Sequence, residues 1–224
     1  MGGRTCFLER MSLFMSQEEM NEQTTDNGGV LAVCPKKKKD KSPVVFYKDR
    51  MTFKGETILF SDIDSVCMNS DHTVYNVLFE YYSAYVKFRL KDGRKLKWSL
   101  TGFGAFGLGR IKTKKEYYHL MAEASIATIA RILAASYINQ IKLGGSITIA
   151  NITISPSEIS GKHGIGRKVK TLPLSDIYKA DICKGNLYIY GQDGKSVFNC
   201  IQLSYDNAIC LLYIINSLVA KTEE

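Results

Sequence analysis

The sequence predicts a mainly β, α+β chain made of two repeats, each a run of antiparallel strands closed by one helix. Three observations carry this. Segments rich in Val, Ile, Phe and Tyr, broken by Lys-Gly and Asp-Gly pairs, fill most of residues 44–100 and 146–203. Two apolar stretches, near 114–141 and 206–220, have the spacing of helices. The tripeptide Ser-Asp-Ile occurs at Ser61-Asp62-Ile63 and again at Ser175-Asp176-Ile177, each followed by an Asp-Gly turn.

Residues 1–43 read as a flexible tail. "SQEEMNEQTTDNGG" is polar, and "PKKKKDKSP" is a charge run in which Lys36 to Lys39 and Lys41 suit a solvated linker, a nuclear-localisation pattern or an anionic-lipid contact. The start is a poor secretory signal, because Glu9 and Arg10 break its apolar part, and Cys6 stands where a myristoylation site expects Ser or Thr.

Residues 44–143 form the first predicted domain. "VVFYKDRMTF", "TILFSDIDSVCM", "TVYNVLFEYYSAYVKFRL" and "KLKWSL" read as a meander. A helix over about Lys114 to Ile141 follows, with Ile126, Ile129, Leu133 and Tyr137 on one face. Residues 144–224 form the second, with strands up to "IQL" and a helix over about Asp206 to Ala220, N-capped by Ser204 or Asp206. Ile209, Leu211, Leu212, Ile214 and Ile215 make that helix apolar nearly all round, so it is expected to be buried on more than one side. The offset between repeats is 114 positions at Ser-Asp-Ile and 101 at Asp-Gly, which places about a dozen extra residues in the first copy, in "MNSDHTVYNVLFEYY". The expected core includes Ile58, Phe60, Ile63, Phe88, Trp98, Leu172, Leu174, Ile177, Leu187, Ile189, Leu203 and Leu212.

"TGFGAFGLGR" contains G-x-G-x-x-G at Gly102, Gly104 and Gly107, between a strand and a helix. A dinucleotide fold needs a second, parallel strand after that helix with an acidic residue near its end, and here an antiparallel repeat begins instead. The glycines are therefore expected to form a loop that tucks Phe103 and Phe106 against the sheet or offers them to a membrane or partner.

The net charge is +8, with 15 basic against 9 acidic residues in 44–143. This excess suits an anionic surface but falls short of a dense basic stripe, so nucleic acid is not expected as a partner. The six cysteines form no C-x-x-C pair and the three histidines are scattered. These patterns predict no metal site, no cofactor and reduced thiols in a cytoplasmic protein. No nucleophile–base pair or carboxylate dyad stands out, so no catalytic residue is assigned and no enzyme is expected.

The order of strands, apolar-x-Ser-Asp-Ile, Asp-Gly turn and terminal helix resembles the pleckstrin-homology-like superfold, especially its bacterial and GRAM-type branches. The resemblance covers residues 44–224 as two copies. It implies bent antiparallel barrels or sheets, each capped by a C-terminal helix, with the Asp62 and Asp176 side chains fixing the strand ends. It also bears on "GKHGIGRKVK", read as joining the first two strands of the second copy. Phosphoinositide-binding members carry a Lys ending one strand and a basic-x-basic triplet opening the next. Lys162 and Lys168-Val169-Lys170 match that pattern, with Arg167 between them and Lys170 standing where the family has Arg. The implied function is a non-catalytic binding module that engages anionic lipid headgroups, peripherally at a membrane, or a protein partner. The alternative is a self-assembling protein whose apolar helices form a homodimer surface.

Overall fold

The computed structural model describes residues 29–75, 79–105, 110–163 and 168–220. They fall into two compact units that divide between Ala130 and Arg131.

The first unit opens with β1 (Val30–Cys34), β2 (Val44–Tyr47), β3 (Arg50–Phe53) and β4 (Glu56–Leu59), an antiparallel sheet in that order. A 3-10 turn, Phe60–Asp62, leads to a second sheet of β5 (Ile63–Tyr75), β6 (Phe79–Leu90) and β7 (Lys95–Ala105). Helix α1 (Arg110–Ser125) and a π turn (Ile126–Ala130) complete it. At the end of α1 and within that turn, the hydroxyls of Ser125 and Thr128 donate to the carbonyls of Met121 and Ala124 at 2.7 and 2.6 Å, the side-chain competition that loosens a helical ladder.

The second unit begins with α2 (Arg131–Lys142). It then repeats the order: β8 (Ile147–Ile149), β9 (Ile152–Ile154), β10 (Glu158–His163) and β11 (Lys168–Pro173) form one sheet. The 3-10 turn Leu174–Asp176 leads to β12 (Ile177–Cys183), β13 (Asn186–Gly191) and β14 (Ile201–Gln202), and α3 (Cys210–Val219) ends the unit. The strands of each unit lie in two separate antiparallel sheets, not in one closed barrel.

The Ser-Asp-Ile copies share their local geometry. Each lies on a 3-10 turn whose last N–H, that of Ile63 or Ile177, donates to the carbonyl of Phe60 or Leu174. Each strand then carries a register shift two residues on. In the first unit, Lys91 N–H donates to the Asp62 carbonyl at 2.8 Å, and in the second, Gln192 N–H donates to that of Asp176 at 3.1 Å. So the aspartate backbones join each 3-10 turn to its Asp-Gly turn. The side chains do not do so: their hydroxyl contacts to Ser61 and Ser175 are long, 3.4 and 3.5 Å. Gly93 and Gly194 occupy equivalent positive-φ positions, 88° and 74°, that a side chain would strain.

The extra residues of the first copy lengthen one hairpin. In the second unit the Lys184-Gly185 turn joins β12 to β13, with Cys183 opposite Asn186. In the first, β5 and β6 pair from Ile63–Leu90 out to Tyr75–Phe79.

The core is largely as expected. Ile58, Phe60, Ile63, Phe88, Trp98, Ile177, Leu187, Ile189, Leu203 and Leu212 are buried. Leu172, on the edge strand β11, and Leu174, in the 3-10 turn after it, are only half-buried. Trp98 is fully buried and its Nε1–H has no hydrogen-bond partner among the described residues.

Other expectations are corrected. Val30–Cys34 lies inside the expected tail but is a strand paired with β2, so the polybasic run is a hairpin connection and not a free linker. The long apolar helix is divided between the units and does not belong wholly to the first. Neither Ser204 nor Asp206 caps α3, which starts from Ile209 without a side-chain cap. The Gly102–Ala105 stretch is the end of β7, not a loop. A Cβ on Gly102 would come within 2.6–2.9 Å of Lys114 and Ile111 on α1, so the glycine lets the helix approach the strand. Gly107 lies outside the described residues.

Candidate anion-binding site

An antiparallel meander returns its first and third turns to the same end. In the first unit these are the β1–β2 connection, which carries Lys36 to Lys39 and Lys41, and the Lys54-Gly55 turn between β3 and β4. The β1–β2 connection is folded on Asp40, whose carboxylate accepts the backbone N–H groups of Lys36 at 2.7 Å and Ser42 at 3.2 Å. Those hydrogen bonds, the Lys36 one first, hold the Asp40 carboxyl below its ordinary range. Lys37, Lys38, Lys39 and Lys41 are left exposed. The Lys36 ammonium is half-buried and held below its ordinary value, first by burial and then by the nearby Lys54. The Asp40 carboxylate acts the other way and partly offsets this repulsion.

The β6–β7 turn reaches the same end. Arg94 donates to Glu56, the first residue of β4, at 2.6 Å and to Asp92 at 2.7 Å. Its guanidinium is engaged by carboxylates, so it ties turns together and leaves the lysines as the outward charges.

The hairpin favoured by the sequence is built differently from its expected form. It joins the third and fourth strands of its sheet, β10 and β11, since β8 and β9 precede it. Lys168 pairs with His163 and Lys170 with Gly161, whereas Lys162 pairs with Val169. Directly paired residues share a face and neighbours along a strand do not. Lys168, Lys170 and His163 therefore form one row, and Lys162 lies on the opposite face. The expected convergence of Lys162 with Lys168 and Lys170 is not what the register gives. Arg167 lies outside the described residues. The Lys170 face is the one on which a Cβ at Gly161 would meet Ile152 at 2.4 Å and Phe198 at 2.9 Å.

Phe103 is 62% exposed on β7 and stacks on Phe79 of β6, with ring centroids 5.7 Å apart and planes 13° apart. Phe106 lies outside the described residues. Phe79 was not singled out by sequence, because only the β6–β7 register makes it a neighbour of Phe103.

Titratable groups elsewhere are spent on structure. Lys115 Nζ donates to His72 Nδ1 at 3.1 Å, so His72 donates from Nε2 to the buried Glu80, 2.9 Å away. Burial pushes the thiols of Cys34 and Cys210 up to about 12, with Glu123 adding to the effect at Cys34. Such thiols are poor nucleophiles. Among the described residues, no three His, Cys, Asp or Glu side chains converge as a metal site would require. Comparison with protein-family models, curated proteins and solved structures yields no match, so the geometry alone carries the functional reading.

Proposed function

We propose that this chain is a non-catalytic, cytoplasmic binding module of two pleckstrin-homology-like repeats that engages anionic lipid headgroups at a membrane surface. Support for the repeats comes from their shared order of four strands, three strands and a helix, with matching geometry at both Ser-Asp-Ile copies. The observation that carries the function is the meeting of the Lys36–Lys41 connection with Lys54 at one end of the first four-stranded sheet. Lysine suits this task, as a point charge on a flexible stem that adapts to phosphate. The Lys168–Lys170 row of the second unit is a smaller contact of the same kind.

Co-sedimentation with phosphatidylcholine vesicles, with and without phosphatidylserine or a phosphoinositide, tests this. A juxtamembrane Lys contributes about 1 kcal/mol near an anionic surface, so changing Lys36 to Lys39 to Gln should weaken binding more than tenfold. Lys168→Ala with Lys170→Ala should weaken it less. No affinity for any anionic vesicle at low salt ends the lipid reading.

A protein partner is then the second reading. Its support is β11, an edge strand with Val169 71% exposed, which could accept an added strand. Self-assembly through the last helix loses its motive, since α3 packs on α2 and β12 within its own unit and buries Cys210, Leu211, Leu212, Ile214, Ile215 and Val219.

A further inference from the structure

We infer that the outer face of the β5–β6–β7 sheet is a platform for single-stranded nucleic acid, a role independent of the headgroup reading. The register puts Tyr75, Phe79, Tyr81, Tyr85 and Phe103 on this face, together with Lys87, Lys95 and Lys97. The opposite face carries Val66, Val86, Phe88 and Trp98 and is buried. The outer rings keep exposed surface: Phe79 and Phe103 stack on each other at the open end, and Tyr81 and Tyr85 are half-buried. Tyr75 is 50% and Phe79 45% exposed, beside the more exposed Phe103. Lys87 and Lys97 lie over the Tyr85 ring, 4.3 and 5.5 Å from its centroid.

Alternate residues on a strand stand about 7 Å apart, close to the step between bases in an extended single strand. Rings at that spacing offer stacking surfaces, and lysines interleaved with them meet the phosphates. The charge on the face favours this occupant. Asp71 is its exposed, unbridged acid, and Asp64 is bound to Arg89 at 2.8 Å. The hairpin extension that the second unit lacks supplies Tyr75, Phe79 and Tyr81. The second unit keeps a shorter version of the same chemistry, with Tyr188 and Tyr190 stacked at 6.3 Å and Lys179 over Tyr190 at 5.9 Å. Nucleic acid was not expected from the sequence, because segment-wise charge counting cannot show that cations and rings share one sheet face.

The test is fluorescence anisotropy of labelled oligo-U and oligo-dT 20-mers with the full chain at low and moderate salt. Tyr85→Ala with Phe103→Ala should weaken binding roughly tenfold or more, with thermal melting unchanged. Lys87→Gln with Lys97→Gln should reduce the salt slope by about 1.4, two phosphate contacts on a single strand. The Lys36 to Lys39 Gln variant, which lies on another connection, should retain ring-dependent binding. The inference is overturned if the wild type binds neither oligonucleotide at low salt. It is also overturned if binding depends on Lys36 to Lys39 and ignores the face variants. A third overturning result is that Tyr85→Ala with Phe103→Ala abolishes vesicle binding while no oligonucleotide binds, which would make the face a bilayer contact.

Discussion

Asn216 closes the edge of β12 through Ala180. Its Oδ1 accepts the Ala180 N–H at 2.8 Å, and its Nδ2 donates to the Ala180 carbonyl at 3.1 Å. β12 is an edge of its sheet, so those backbone groups have no neighbouring strand to meet. Asn216, on a helix whose other residues are apolar but for Tyr213 and Ser217, supplies what a strand would.

Asn216→Leu keeps the helix apolar but leaves both Ala180 groups unpaired. It should destabilise the second unit by about 1–3 kcal/mol per orphaned group. Urea unfolding followed by circular dichroism checks this. An unchanged midpoint would mean that water replaces the amide.

Ile63 and Ile177 are 1% and 0% exposed at equivalent places after the two 3-10 turns. Truncating either to Ala should cost about 2–5 kcal/mol. A large loss at one and none at the other would break the equivalence of the repeats.

Gly161→Ala separates packing from flexibility. The added methyl would lie 2.4 Å from Ile152 and 2.9 Å from the Phe198 ring, so about 1–3 kcal/mol of stability should be lost. Gly102→Ala should be milder, because its nearest contact, Lys114 Cδ, belongs to a side chain that can move. Thermal melts of the two variants should rank in that order.

The second unit should weaken in alkali. Burial raises the Cys210 thiol from 9.0 to about 12, so the folded chain holds its proton where the unfolded chain has released it. Stability is full below the unfolded value and falls as pH rises from about 9 towards 12. Cys210→Val should flatten that fall in urea titrations. In the native protein, the exposed Cys200 should react with a thiol reagent well before the buried Cys34, Cys67 and Cys210.

By itself the sequence determined the mainly β class, the two repeats and most of the core. Each of these follows from local pattern: alternation, turn pairs and the repeated Ser-Asp-Ile. It also located the extra hairpin residues, since an insertion shows directly as a change of offset. It missed β1, because five residues between Gly29 and Pro35 carry too short an alternation to stand apart from a polar tail. Only the tertiary structure decided the faces. Side chains alternate along a strand, so a shift of one position moves a lysine to the other side of its sheet. Register therefore separated Lys162 from Lys168 and Lys170 and set Phe79 beside Phe103. The proximity of Lys36 to Lys54 likewise depends on a strand pairing that closes the chain across distant positions, and composition holds no trace of that.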